Sequence, residues 1–313
     1  MKDMIWAYLI HLGSNVWGDP GGKMVGNAYH DYLLAEDEAW RATIDLLPSQ
    51  GINTVVIDVA EGIQYESHPE LAVKGSWSKD KMKAELDYIR SLGMTPIPKL
   101  NFSTCHDAWL GKYSYMVSTP EYYQVCKDVI TEVHELFGCP KYFHLGMDEE
   151  NLDCQLQYAY CVIRHGDLWW HDAYYLFDIC EKLGTRPWVW ADYAWTHEEE
   201  YFARMPKSVL QSNWWYHGTK RKPDGSFVWP QFDYYEKLEK AGFDQVPTSS
   251  AIWARYSNRN TMELCKKVVA PERLKGFMTA PWVQTTWDDR YSLFDDAVRF
   301  GNARRDVFPE TLK

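Results

Sequence analysis

Apolar runs rich in β-branched and aromatic residues alternate with longer stretches of helical periodicity from one end of the chain to the other. The first apolar run is WAYLIHL at 6–12, and an acidic helical stretch follows at about 36–47. TVVIDV at 54–59 precedes a helix at about 79–92, and TPIPKLNF at 95–102 precedes the helical TPEYYQVCKDVITEVHELF at 119–137. Pro120 suits the first turn of that helix, where its missing N–H costs nothing. The fourth run lies in KYFHLGMDEEN at 141–151, before a helix at about 167–183. The second half keeps the rhythm with RPWVWADYAW from 186, VLQSNWWY from 209, FDQVPTSSAIW from 243 and GFMTAPWVQTTW from 276, each followed by a helical segment.

LGM, LGT, AGF and LKG recur just before these runs, and each glycine is expected to end a helix and lead into the next strand. Eight strand–helix units with no Ser- or Pro-rich linker predict an α/β chain folded as a single (β/α)8 TIM barrel, one catalytic domain over 1–313. The competing fold is an open doubly wound sheet. Its nucleotide-binding forms lose support because no GxGxxG follows the first strand and no GxxxxGK[ST] occurs.

Charge narrows the partners. A net charge of -11 argues against nucleic acid and anionic membrane surfaces, which an acidic surface repels. The aromatic content points toward carbohydrate: 16 Trp and 21 Tyr supply flat apolar faces and hydrogen-bonding edges that match the C–H faces and hydroxyl rims of sugar rings. Packing between helices and barrel must account for many of them. Seven cysteines without a CxxC pair read as buried thiols in a reducing compartment, so a cytoplasmic location is expected. The N-terminal apolar run is short for a secretory signal, although a removed signal peptide would leave the same sequence. Oligomeric state is not legible.

In a barrel, chemistry collects where strands end at the C-terminal face. The polar and aromatic residues predicted there are His11, Asn15 and Trp17 after strand one, and Asp58 and Glu61 after strand two. Strand three supplies Asn101, His106 and Asp107, strand four Asp148 and Glu149, and strand five Asp192, Tyr193 and Trp195. Strand six supplies Asn213, Trp214, Trp215 and Tyr216, strand seven Trp253, Arg255 and Tyr256, and strand eight Trp282, Gln284, Trp287, Asp288 and Asp289. Asp148 and Glu149 are neighbours, so at a regular strand end they point to opposite faces unless the backbone bends. They are therefore not simply the two opposed carboxylates of an ordinary glycosidase; one general acid and one supporting carboxylate is the easier reading. Strand seven ends TSSAIWARY, with no acid to serve as the usual nucleophile of a retaining barrel enzyme.

HLGMDEE at 144–150 resembles the H-x-G-x-D-E signature of glycoside hydrolase family 20, the β-N-acetylhexosaminidases, and the chain reads as a divergent member. IPKLNFSTCHDAW on strand three is similar to the family's P-E-x-x-x-P-G-H segment in place and in its histidine. The sequence departs where strand one carries no arginine, where Ser103-Thr104-Cys105 replaces the P-G, and where Gly146-Met147 replaces G-G. The resemblance implies an exo-acting, retaining hydrolase of a terminal β-linked N-acetylhexosamine, in which the substrate's own 2-acetamido oxygen attacks the anomeric carbon. It implies Glu149 as general acid and base and Asp148 as the group that orients the acetamido. His106 and His144 would support the acids, Tyr256 would hydrogen-bond the acetamido oxygen, and Asp192, Trp214, Trp253, Trp282, Trp287 and Asp288 would complete the sugar site.

Each assignment has a plainer rival. Asp148, Glu149 and Glu150 could form a solvated acidic loop opening a helix, and Glu150 by itself reads as solvated or capping. Asp58 and Asp192 could be structural acids paired with basic residues, Asp288 and Asp289 could cap the last helix, and Trp188 and Trp190, alternating within strand five, read as packing. Strand one has no His-x-His and no tight ligand spacing occurs, so no metal or cofactor is expected. Two other functions stay open: a barrel glycosidase acting on a sugar without the acetamido group, and a non-catalytic carbohydrate-binding barrel.

Overall fold

The computed structural model describes residues 4–16 and 29–312. Trp17 lies outside them. Eight parallel strands form one sheet in the order β6-β5-β4-β3-β2-β1-β8-β7. They are β1 Ile5–His11, β2 Thr54–Asp58, β3 Thr95–Lys99, β4 Tyr142–His144, β5 Arg186–Trp190, β6 Leu210–Ser212, β7 Thr248–Ser249 and β8 Gly276–Thr279. Parallel bridges from Gln211 to Gln245 and from Trp214 to Thr248 join β6 to β7. The sheet therefore closes, and the chain is a (β/α)8 barrel.

The helices that follow the strands are α1 Asp37–Leu46, α2 Lys79–Ser91, α3 Pro120–Leu136, α4 Asp167–Lys182, α5 Glu198–Arg204, α6 Tyr234–Lys240, α7 Ser257–Val268 and α8 Arg290–Val307. Local chemistry sets their ends. Ser78 and Thr119 accept hydrogen bonds from the backbone N–H groups of Lys81 and Tyr122, which caps α2 and α3. Gly93, Gly184 and Gly242 adopt φ near +80° just past α2, α4 and α6, the left-handed turn expected of LGM, LGT and AGF. LKG differs. Its Gly276 begins β8, and a Cβ there would come within 1.9 Å of Ile5 O, so the residue permits close strand packing.

The period-two alternation of the strands separates two cores. Ala7, Leu9, Val56, Ile97, Trp188, Leu210 and Met278 fill the barrel interior, while Trp6, Tyr8, Ile10, Val55 and Ile57 pack outward against the helices. Above the apolar interior runs a polar belt, because the strand register sets His11 beside Asp58, Asp58 beside Lys99 and Lys99 beside His144. The Lys99 ammonium pairs with Asp58 Oδ2, with both side chains buried. Burial by itself would raise the Asp58 carboxyl; Lys99 and then His11 overcome that and hold it at about 2. Asp58 is thus a structural acid. No described helix is long and apolar enough to cross a membrane. The cysteines are unpaired thiols: Cys105, Cys126, Cys180 and Cys265 are buried as expected, whereas Cys154 and Cys161 are half-buried and Cys139 is exposed.

Candidate active site

Just above the polar belt, the chain leaving β4 makes an abrupt turn. Gly146, Met147 and Glu149 all have positive φ, at 71°, 75° and 61°. For Met147 and Glu149 this costs on the order of 1–3 kcal/mol each and persists only when the surroundings hold it. They do. Met147 N donates to Asn101 Oδ1 at 3.3 Å, and Glu149 N donates to Asp192 Oδ2 at 2.8 Å. Gly146 is required both by its φ and by space, since a Cβ would lie 2.0 Å from Asn101 Oδ1. The bend turns neighbouring residues, which a straight strand would point apart, into one cavity.

That cavity has a volume of about 670 Å³ and opens at the C-terminal face of the barrel. Asp148, Glu149 and His106 lie on one side, and Trp190, Trp214, Trp253 and Trp282 stand among its walls. Asp148 is fixed by Asn101, whose Nδ2 donates to Oδ1 at 2.8 Å, and by the Ser103 hydroxyl, which donates to its carbonyl at 2.5 Å. The His106 ring sits between two acceptors. Its Nδ1 is 2.9 Å from Val16 O, and its Nε2 is 3.0 Å from Glu149 Oε2 and 3.5 Å from Asp148 Oδ2.

A carbonyl only accepts, so Nδ1 carries hydrogen, and a ring facing two carboxylates through Nε2 is stable as the imidazolium. Burial opposes that charge, but the charge of Asp148 and the Glu149 hydrogen bond outweigh it and raise His106 to about 10. Burial would likewise raise Glu149, and the His106 hydrogen bond and charge instead hold it below the ordinary carboxylate value. The pair therefore keeps one proton across the neutral range, resting on His106. The arrangement can deliver that proton through Glu149 to a basic atom in the cavity and take it back. Ligand atoms of His106, Asp148 and Glu149 lie within 4.8 Å of one another, so a divalent ion could be held there only by displacing the His106 proton.

The remaining predicted residues fall at different depths. Asp192 lies behind the acids, accepting from Glu149 N and from Trp214 Nε1 at 3.1 Å. Burial and then the charge of Asp148 push it up to about 8. His144 is fully buried below the cavity, with its ring centroid 5.1 Å and 4.5 Å from those of Trp188 and Trp190. It accepts from Gly146 N at 3.1 Å, and burial lowers it well below the usual histidine value, so it supports the turn as a neutral ring. Trp188 and Trp190 are buried, and Trp190 is among the residues lining the cavity. Tyr256, Trp287 and Asp288 do not line the cavity; Tyr256 is 70% exposed.

Sequence reasoning missed Glu150 in its actual role. Instead of being solvated it is buried and salt-bridged to buried Arg164, at 2.6 Å, because the tight turn points it inward against the loop after β3, where Thr104 N donates to it. Trp215, Tyr216, His217, Gln284 and Asp289 also line the cavity. Their signal was position after strands six and eight, which placed most of them near the site without ranking them.

No family model matches the chain, and no curated protein matches it. Its fold is similar to solved structures of family 20 glycoside hydrolases. Over 87% of this chain and 49% of the other, it superposes on the Flavobacterium johnsoniae chitobiase with a TM-score of 0.62 at 16% identity. The family 20 exo-β-N-acetylglucosaminidase of Vibrio harveyi, solved in complex with N-acetylglucosamine, gives a TM-score of 0.61 at 14% identity over 99% of this chain and 57% of that one. The family 20 β-N-acetylhexosaminidase of Streptomyces coelicolor A3(2) gives 0.63 at 14% identity, over 95% and 64%. The chain thus spans about half the length of the first two and shares their barrel.

Proposed function

We propose that the chain is an exo-acting glycoside hydrolase that removes a terminal β-linked N-acetylhexosamine with retention, by substrate-assisted catalysis. The observation that carries this reading is the bent strand-four exit, which sets Asp148 and Glu149 side by side in an aromatic cavity with His106 on Glu149. A nucleophile of the ordinary kind would stand across the sugar from the acid, and β7 ends without a carboxylate. Two adjacent acids suit a substrate that brings its own nucleophile. One acid protonates the leaving oxygen while the other orients the acetamido group and stabilises its positive charge.

In this mechanism the shared proton passes from His106 to Glu149 as the sugar displaces water, because desolvation favours the neutral pair over the ion pair. Glu149 protonates the glycosidic oxygen, the bond from that oxygen to the anomeric carbon breaks and the aglycone leaves as an alcohol, while the acetamido oxygen closes on the anomeric carbon to form an oxazolinium. Asp148, held by Asn101, receives the acetamido N–H and balances the developing charge. Glu149 then takes a proton from the water that opens the ring. Tryptophan faces hold the sugar, and Tyr216, which lines the cavity where Tyr256 does not, takes the hydrogen bond to the acetamido oxygen that the family resemblance implied for Tyr256. The likeness to barrels of acetylhexosaminidases supports the substrate class.

The test is hydrolysis of nitrophenyl β-GlcNAc, β-GalNAc, β-galactoside and β-glucoside by the wild type and by Glu149→Gln. Selective cleavage of the two acetamido sugars is expected, with a loss of about 10²–10⁴-fold in kcat in the variant. Cleavage confined to the sugars without an acetamido group would overturn the substrate-assisted step and point to Asp289 as a second carboxylate of the cavity. Sugar binding without turnover would reduce the chain to a carbohydrate-binding barrel.

A further inference from the structure

The strained turn that aims Glu149 is gripped from below by a residue no part of the mechanism uses. Arg164, in the loop between β4 and α4, is completely buried, and its guanidinium reaches four groups. Nε donates to Glu150 Oε2 at 3.0 Å and Nη2 to Glu150 Oε1 at 2.6 Å, a bidentate clasp on the residue that follows Glu149. Nη2 also donates to Phe102 O at 2.6 Å and approaches Met147 Sδ at 3.7 Å. Nη1 donates to Asp172 Oδ2 on α4 at 2.8 Å, and Asp172 in turn accepts from Ser118 Oγ and Tyr123 OH at 2.6 and 2.5 Å.

These contacts join the two loops that carry the catalytic pair. On the β4 side Arg164 holds Met147 and Glu150, which flank Asp148 and Glu149. On the β3 side it holds Phe102 directly and Thr104 through Glu150 Oε1, which accepts from Thr104 N at 3.2 Å, two residues before His106. Removing the clamp would let the left-handed turn relax toward ordinary backbone and free the two loops from each other.

We propose that Arg164 is a positioning residue that, through Glu150, holds the Glu149 turn and the His106 loop in the register needed for proton transfer between them. The proposal rests on the reading of Glu149 as the acid, and it has its own readout in the state of His106. A guanidinium suits the task better than an ammonium, because its planar fork engages two loops and a helix at once.

The experiment compares wild type, Arg164→Met, Arg164→Lys and Glu150→Gln by thermal melting, by the pH dependence of kcat and kcat/KM on an aryl N-acetylhexosaminide, and by NMR titration of the His106 ring. In Arg164→Met the expected result is a kcat loss on the order of 10²-fold with KM nearly unchanged, as for a misplaced catalytic group. The His106 titration should move down from about 10 as Glu149 swings away, with partial return in Arg164→Lys. A lowered melting temperature with wild-type His106 titration and an unchanged pH profile would overturn the proposal and leave Arg164 a structural ion pair. If Arg164→Met does not fold, Glu150→Gln, nearly isosteric, decides by the same titration. If wild type cleaves no sugar, the functional reading fails while the His106 titration still tests the clamp.

Discussion

In the proposed mechanism, His106 lets Glu149 serve as an acid although its carboxyl is held below the usual value. The proton is stored on the ring, so the pair stays loaded until the pH approaches the His106 value of about 10. His106→Gln removes that store and also removes what lowers Glu149, so the carboxyl rises but alone must hold the proton. The expected outcome is a kcat–pH profile whose alkaline limb moves to lower pH, with kcat reduced about 10²-fold or more even at its maximum. An alkaline limb that stays in place would show that the histidine takes no part in proton storage. Gly146 acts on the same scale. Gly146→Ala adds a methyl against Asn101 in a left-handed residue, so a lower melting temperature and a loss of turnover are expected together, because Asn101 also anchors Asp148.

At the scale of elements, β2 and β3 carry a buried ion pair under the cavity floor. Lys99→Met leaves Asp58 buried without its cation, and a loss of about 3–5 kcal/mol in urea unfolding at neutral pH is expected. The pH dependence separates this from a packing defect. In wild type Asp58 lies at about 2, below the ordinary carboxylate value of about 3.9. The contribution of the pair is therefore fully present above about pH 4 and lost as the pH falls toward 2. In Lys99→Met burial pushes Asp58 up, the sign reverses, and the deficit against wild type should shrink as acid protonates it. A deficit independent of pH would mean that the cavity left by the side chain, not the charge, sets the cost.

At the scale of the whole molecule, the cavity draws its lining from β3, β4, β5, β6, β7 and β8 exits at once, so a ligand that fits it braces most of the barrel against unfolding. A thiazoline that mimics the oxazolinium should bind the folded state alone and raise stability by about 2.7 kcal/mol at a concentration 100 times its Kd, seen as a higher melting temperature. The shift should be smaller in Asp148→Asn, which loses the charge that balances the ring. No shift in wild type would remove the substrate-assisted step while leaving a glycosidase on other sugars possible.

Much of this was legible in the chain itself because it depends on local order. Apolar β-rich runs alternating with helical ones announced eight strand–helix units, and LGM, LGT and AGF marked real helix ends, since a left-handed residue closing a helix costs glycine least. HLGMDEE marks Asp148 and Glu149 by local pattern alone. What local pattern could not show was direction. Whether two adjacent acids share a cavity depends on backbone angles at Met147 and Glu149 that are tolerable only because Asn101 and Asp192, 43 to 46 residues away, receive their N–H groups. Glu150 reads as a solvated acid until Arg164 is brought beneath it, and Tyr256 and Trp287 read as site aromatics until the fold leaves them exposed outside the cavity. Sequence by itself determined the elements and the kinds of side chain at their ends. Only the closed barrel decided which of those side chains meet, because contacts between distant strands follow from register and closure, which no short stretch of sequence encodes.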